Sequence, residues 1–128
     1  MASLYATLAD ALVLAHLLFI AFVLAGGFLL LRWPRLAWLH LPAALWGVAV
    51  EMLGGVCPLT PLENHFRRLG GGSGYSGGFV ERYLVPLIYP EQLSRGDQIV
   101  LGAAVLAVNL LAYGLAWRRR SHRRCRSD

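Results

Sequence analysis

The chain has 128 residues, of which 57% are hydrophobic and only 15% charged, with a formal net charge of +5. Its mean hydropathy is +0.54. Soluble domains carry about 25% charged residues, and a domain this small has too much surface to cover with so few. The values exclude an ordinary soluble enzyme and point to one membrane domain, residues 1–128.

The first apolar block, ALVLAHLLFIAFVLAGGFLLL at 11–31, is interrupted only by His16. The second, 36–56, contains His40, Pro42 and Glu51, and the last, 99–117, contains Asn109. Each is about 20 residues, the length that crosses roughly 30 Å of hydrocarbon at 1.5 Å per residue. The expected fold is all-α and integral to a membrane, with spans at 11–31, 36–56 and 99–117. No Lys or Arg precedes Arg32, and the first block is too long for a signal peptide, so it is expected to stay in the mature protein.

An external loop is expected at 57–98. Its Arg67, Arg68, Arg82 and Arg95 balance Glu63, Glu81, Glu91 and Asp97. LGGGSGYSGG at 69–78 reads as a flexible glycine-rich loop. FVERYLVPLIYP at 79–90 has an uncharged core too short to span, and its tyrosines and prolines suit a re-entrant or interfacial helical piece. The alternative is a four-helix membrane bundle.

Every basic residue is arginine, and six lie in RRRSHRRCRSD at 118–128. Directly after an apolar helix, Arg118, Arg119, Arg120, Arg123 and Arg124 mark a cytoplasmic tail against anionic lipid, not a nucleic-acid partner. RWPR at 32–35 falls on the same side in a three-span topology. The expected location is a bacterial inner membrane, N-terminus outside and C-terminus cytoplasmic.

Pairing the first two spans about their hairpin sets His16 level with Glu51, each about 7 Å inside the outer boundary, and His40 level with Gly27. His40, Ala44, Gly47 and Glu51 share one face of the second span, and Gly102, Leu106, Asn109 and Tyr113 one face of the third. Gly47 and Asn109 are read as interhelical contacts. The polar intramembrane pair His16 and Glu51 has two readings: a proton relay or ligand site, or mutual satisfaction that fixes hairpin register. No cofactor is expected; the alternative considered is haem, on His16 or His40. The two differ by roughly 16 Å in depth, so one haem cannot bridge them. The alternative role for His40 is donation to a backbone carbonyl freed by Pro42.

GGVCPLTPLENHF at 54–66 holds Cys57, Glu63, Asn64 and His65. Cys57 with His65 supplies the ingredients of a cysteine nucleophile. The structural reading is a helix stop at the glycines and Pro58, then a helix start with Thr60 and Glu63 as a capping box. Cys57 and Cys125 fall at opposite ends of the chain, so no disulfide joins them in this reading, and no metal-ligand spacing occurs.

LRWPRLAWLHLPAALWG (31–47), CPLTPLEN (57–64), GYSGGFVERYLVPLIYP (74–90) and VNLLAYGLAWRRR (108–120) resemble the bacterial domain-of-unknown-function 2784 family. The resemblance covers nearly the whole chain in the family's order. Arg82 departs from it, standing where the family is associated with His. The resemblance implies a small integral membrane protein and brings no activity. The functional expectation is an accessory or assembly subunit that binds other membrane proteins or itself, more a binding protein than an enzyme. The alternatives are a redox or catalytic protein using His16, Glu51 and Cys57, and a small transporter that needs oligomerisation.

Overall fold

The computed structural model describes residues 1–77, 79–88 and 94–126. Its regular structure is helical: α1 (Ala2–Leu29), a 3-10 turn (Pro34–Leu36), α2 (Ala37–Leu53), α3 (Leu59–Leu69), a π-helical turn (Val80–Leu84) running into α4 (Val85–Ile88), and α5 (Arg95–Arg124). Three helices, α1, the 3-10 turn with α2, and α5, are long and apolar enough to cross a membrane. Among its described residues, the segment between α3 and α5 does not add a fourth. Its helical stretch is five π-helical residues and four α-helical ones, far short of about 20. The end of that expected interfacial piece, Tyr89 and Pro90, and the tip of the tail lie outside the described residues.

At 1.5 Å per residue, α1 is about 42 Å long and exceeds the hydrocarbon thickness of about 30 Å. Its N-terminal third serves as the platform for α3, which runs antiparallel along it. Tyr5 stacks on Phe66 with ring centroids 6.3 Å apart. A Cβ at Gly70 would sit 3.3 Å from the Ala2 carbonyl oxygen and 3.4 Å from the Ala6 nitrogen, so glycine permits the close crossing. Arg67 reaches Asp10 at 3.9 Å.

Helix ends are settled locally. α2 stops at Gly54, whose φ of 66° is left-handed, and the Gly55 N–H turns back to the Val50 carbonyl at 2.8 Å. Arg95 then covers the exposed α2 carbonyls: Nη1 donates to Glu51 O at 3.2 Å and Nη2 to Met52 O. This places a cation at a helix C-terminus, where the dipole favours it. The expected Thr60–Glu63 capping box does not form. α3 begins two residues earlier, with Pro58 at its N-cap, so Thr60 is already inside the helix and Glu63 turns elsewhere. The capping box of this chain is at α5, where the Asp97 N–H donates to Ser94 Oγ at 3.2 Å and the Ser94 N–H to Asp97 Oδ2 at 2.9 Å.

The three long helices are locked together in their hairpin half. His40 is fully buried there. Its Nε2 donates to Val23 O of α1 at 3.4 Å, which leaves Nδ1 to accept from the Tyr113 hydroxyl of α5 at 2.9 Å. Asn109 donates to the same Val23 carbonyl at 3.0 Å. The carbonyl that His40 meets is therefore on the neighbouring helix, not the one freed by Pro42. Gly26 and Gly27 make this possible: a Cβ on Gly26 would lie 2.4 Å from His40 Cδ2, and one on Gly27 2.8 Å from Ala112 Cβ. Gly47 packs on Val23 in the same way. Toward the other end α2 and α5 stay paired, with Gly102 against Met52 and Glu51.

Candidate functional site

The most tightly built polar cluster centres on Glu63. Its side chain is 1% exposed, and an isolated carboxylate could not be buried so deeply without partners. Arg67, one turn on, donates Nε–H to Oε1 at 2.7 Å. The hydroxyls of Tyr83 and Tyr75 donate to Oε1 and Oε2, each at 2.8 Å. Arg67 Nη2 also donates to the Tyr83 oxygen at 2.8 Å, which closes the network. Burial, reinforced by the hydrogen bond to Glu63, pushes both phenols above their ordinary value, and the bond to Glu63 raises Arg67 further. The neighbouring Asn64 pairs with the backbone of Tyr75 in both directions, each bond 2.9 Å. The cluster thus pins a glycine-rich loop and the π-helical turn to α3.

That pinning positions Phe79. It is 2% exposed and stacks on His16 with ring centroids 4.1 Å apart. His16 is 4% exposed, and its Nδ1 is buried without a hydrogen-bond partner, as is Thr60 Oγ1.

Beside this stack lies a half-open cavity of about 600 Å³, bounded by α1, α2, α5 and the Phe79–Val85 segment. Its size is that of small-molecule pockets, about 300–1,000 Å³. His16, Glu51, Cys57, Asp97 and Gln98 line it toward the α3 end, and most of the remaining wall is apolar. The structure therefore brings His16, Glu51 and Cys57 to one cavity. It does not bring His65 there: His65 is exposed on α3 with its ring against Phe66. His40 belongs to the hairpin half, with both ring nitrogens engaged. Cys57 and Cys125 are both free, and among the described residues no three His, Cys, Asp or Glu side chains gather as metal ligands. Arg82 is exposed, its guanidinium carbon 5.6 Å from the centre of the Tyr75 ring.

Tyr75, Tyr83 and Arg67 were not singled out by the sequence. The available signal was the Glu63–Arg67 spacing of one helical turn. The tyrosines lie across a glycine-rich loop, and no periodicity links them to it.

Arg118–Arg120 and Arg123–Arg124 continue α5 as helix, so this basic stretch is the end of a long rod. Arg119, Arg120 and Arg123 share a small cleft with Arg32 of the hairpin.

No curated protein and no solved structure matches the chain. A family model described as Protein of Unknown function (DUF2784) matches residues 6–114, a range that takes in α2, most of α1, the first two thirds of α5, the Glu63 cluster and the cavity. The chain belongs to the DUF2784 family.

Proposed function

We propose that this protein is a small membrane-embedded binding protein whose cavity takes up an amphiphile, a molecule with a polar head and an apolar chain. The observation that carries the reading is the order of the cavity lining. Polar groups stand at the α3 end, and about 15 Å further along α5, from Gln98 to Val108, the wall is apolar. This gradient parallels that of one bilayer leaflet, so a lipid-like molecule enters sideways with its head at the α3 end. His16, which lines the polar end, supplies a polar group for the head. Binding asks for no reaction from His16, Glu51 or Cys57, and the reading is of a binding protein, not an enzyme.

Arg32 shares a cleft with Arg119, Arg120 and Arg123, so the hairpin and the α5 terminus belong to one end of the molecule. The positive-inside rule sets that end in the cytoplasm of a bacterium and the α3 end outside its inner membrane.

The test is extraction. The full chain, purified in mild detergent, should release a near-stoichiometric amphiphile on organic extraction. Ala104→Trp places an indole in the cavity wall and should remove most of it while helical circular dichroism is kept. Equal amounts from both proteins would overturn the reading.

A second role, an accessory subunit assembling with other membrane proteins, is favoured by α2. Only 11% of the most apolar part of Pro34–Leu53 is buried, which leaves that helix free to meet another. Co-purification of a stoichiometric membrane partner in mild detergent supports it, and an isolated monomer with full stability opposes it.

A further inference from the structure

We propose that the cleft at the hairpin end is a binding site for the phosphate of an anionic phospholipid headgroup. The cleft is about 140 Å³ and is lined by Arg32, Arg119, Arg120 and Arg123 around Leu30, Leu31, Pro34 and Ala116. A single water takes roughly 30 Å³, so the space suits a phosphate-sized group and not a whole lipid.

Two elements build it. Residues 116, 119, 120 and 123 are spaced by three and four along α5 and share one face. Arg32 comes from the turn after α1. Four like charges in one cleft repel each other, and neighbours one turn apart on a helix oppose folding. Among the described residues none of the four is in an ion pair. The aspartates and glutamates whose side chains are described, Asp10, Glu51, Glu63 and Asp97, belong to the α3 half of the molecule. Among the described residues, no carboxylate balances the charge of the cleft.

Guanidinium groups fork onto phosphate oxygens through paired N–H donors, a geometry that a looser cation does not supply. The floor argues for a lipid over a free ion. Leu30 and Ala116 are 3% and 7% exposed, and with Leu31 and Pro34 they give an apolar surface for the glycerol end of the lipid. Basic pockets between membrane helices hold acidic headgroups by this combination. The site is separate from the amphiphile cavity, which none of its residues lines.

The experiment uses the full chain in neutral detergent, titrated with dioleoyl-phosphatidylglycerol and followed by native mass spectrometry. The double variant Arg120→Gln/Arg123→Gln should weaken binding roughly tenfold. Arg32→Gln should act in the same sense, because the site needs the hairpin. The control Arg118→Gln/Arg126→Gln removes the same charge from positions outside the cleft and should change binding less than about twofold. All four arginines changed in the cleft and control pairs are exposed, so the folds should survive, which circular dichroism checks. Equal losses in the cleft and control variants would overturn the proposal, as would equal affinity for phosphatidylcholine. Competition by millimolar inorganic phosphate would keep the phosphate site but assign it to a soluble anion.

Discussion

Glu63 illustrates how one side chain organises a surface that lies far from it in sequence. Its carboxylate collects Arg67, Tyr75 and Tyr83, and through them fixes Phe79 over His16. Removing it leaves Arg67 and two phenols without their acceptor. Glu63→Ala should therefore cost on the order of 3 kcal/mol, read as a lower thermal midpoint, and should expose the Phe79 segment to limited proteolysis. Tyr75→Phe should cost less, about 1 kcal/mol, since it removes one hydroxyl. The same phenols set a pH dependence. Both lie above the ordinary value of 10.0 in the fold, so the folded chain holds protons that the unfolded chain releases. Their contribution is whole below pH 10 and is lost as pH rises through their raised values. Thermal melts from pH 9 upward should show a decline that Tyr75→Phe/Tyr83→Phe flattens; a decline of unchanged steepness in that double variant would count against the cluster. The sequence offered Glu63 as a capping residue because Thr60 stands three places before it. The structure shows why that reading fails: Pro58 starts the helix earlier, and the buried acceptor then serves groups 4, 12 and 20 residues away.

Among the elements, glycine placement decides how closely the long helices approach. Gly26 and Gly27 leave room for the His40 ring and Ala112, whereas Gly114 has nothing within 4 Å of where a Cβ would stand. Gly26→Ala should therefore destabilise by about 1–3 kcal/mol through overpacking. Gly114→Ala should be tolerated, since it meets open space and helix propensity favours alanine. Comparing the two by thermal unfolding in detergent separates packing from propensity. The long helices were legible in the sequence because apolar length is a strong signal. So was the level of His40 with Gly27, which follows from pairing two antiparallel helices about a short turn. The extent of α1 was not. Residues 2–10 are less continuously apolar, and they are helical as the platform for α3, a tertiary contact that hydropathy does not register. The meeting of His40 with Tyr113 was not legible either: each sits on an identified face, but only the third helix's docking says which faces meet.

Across the whole molecule, two ends with different chemistry emerge. One is a cluster of tyrosines, amides and a buried carboxylate above an amphipathic cavity. The other is a hairpin and a helix terminus rich in arginine. Between them the helices are joined by His40, Asn109 and close glycines. The hairpin half holds the assembly, and the other half, walled in part by Phe79 and its segment, has space for a ligand. The sequence paired His16 with Glu51 by depth and grouped both with Cys57 in one alternative reading, but it gave no cavity. The cavity that gathers them depends on where residues 79–85 fold back, which the glycine-rich loop conceals.

The central claim is that this cavity holds an amphiphile, and Cys57 at its polar end offers the most direct measure. The measurement is the alkylation rate of Cys57 by a small maleimide, in a Cys125→Ser background reconstituted into nanodiscs, during titration with oleoyl lysophosphatidylethanolamine. The account predicts a saturable slowing that Ala104→Trp abolishes. A rate that does not change, or that slows equally in Ala104→Trp, would contradict it.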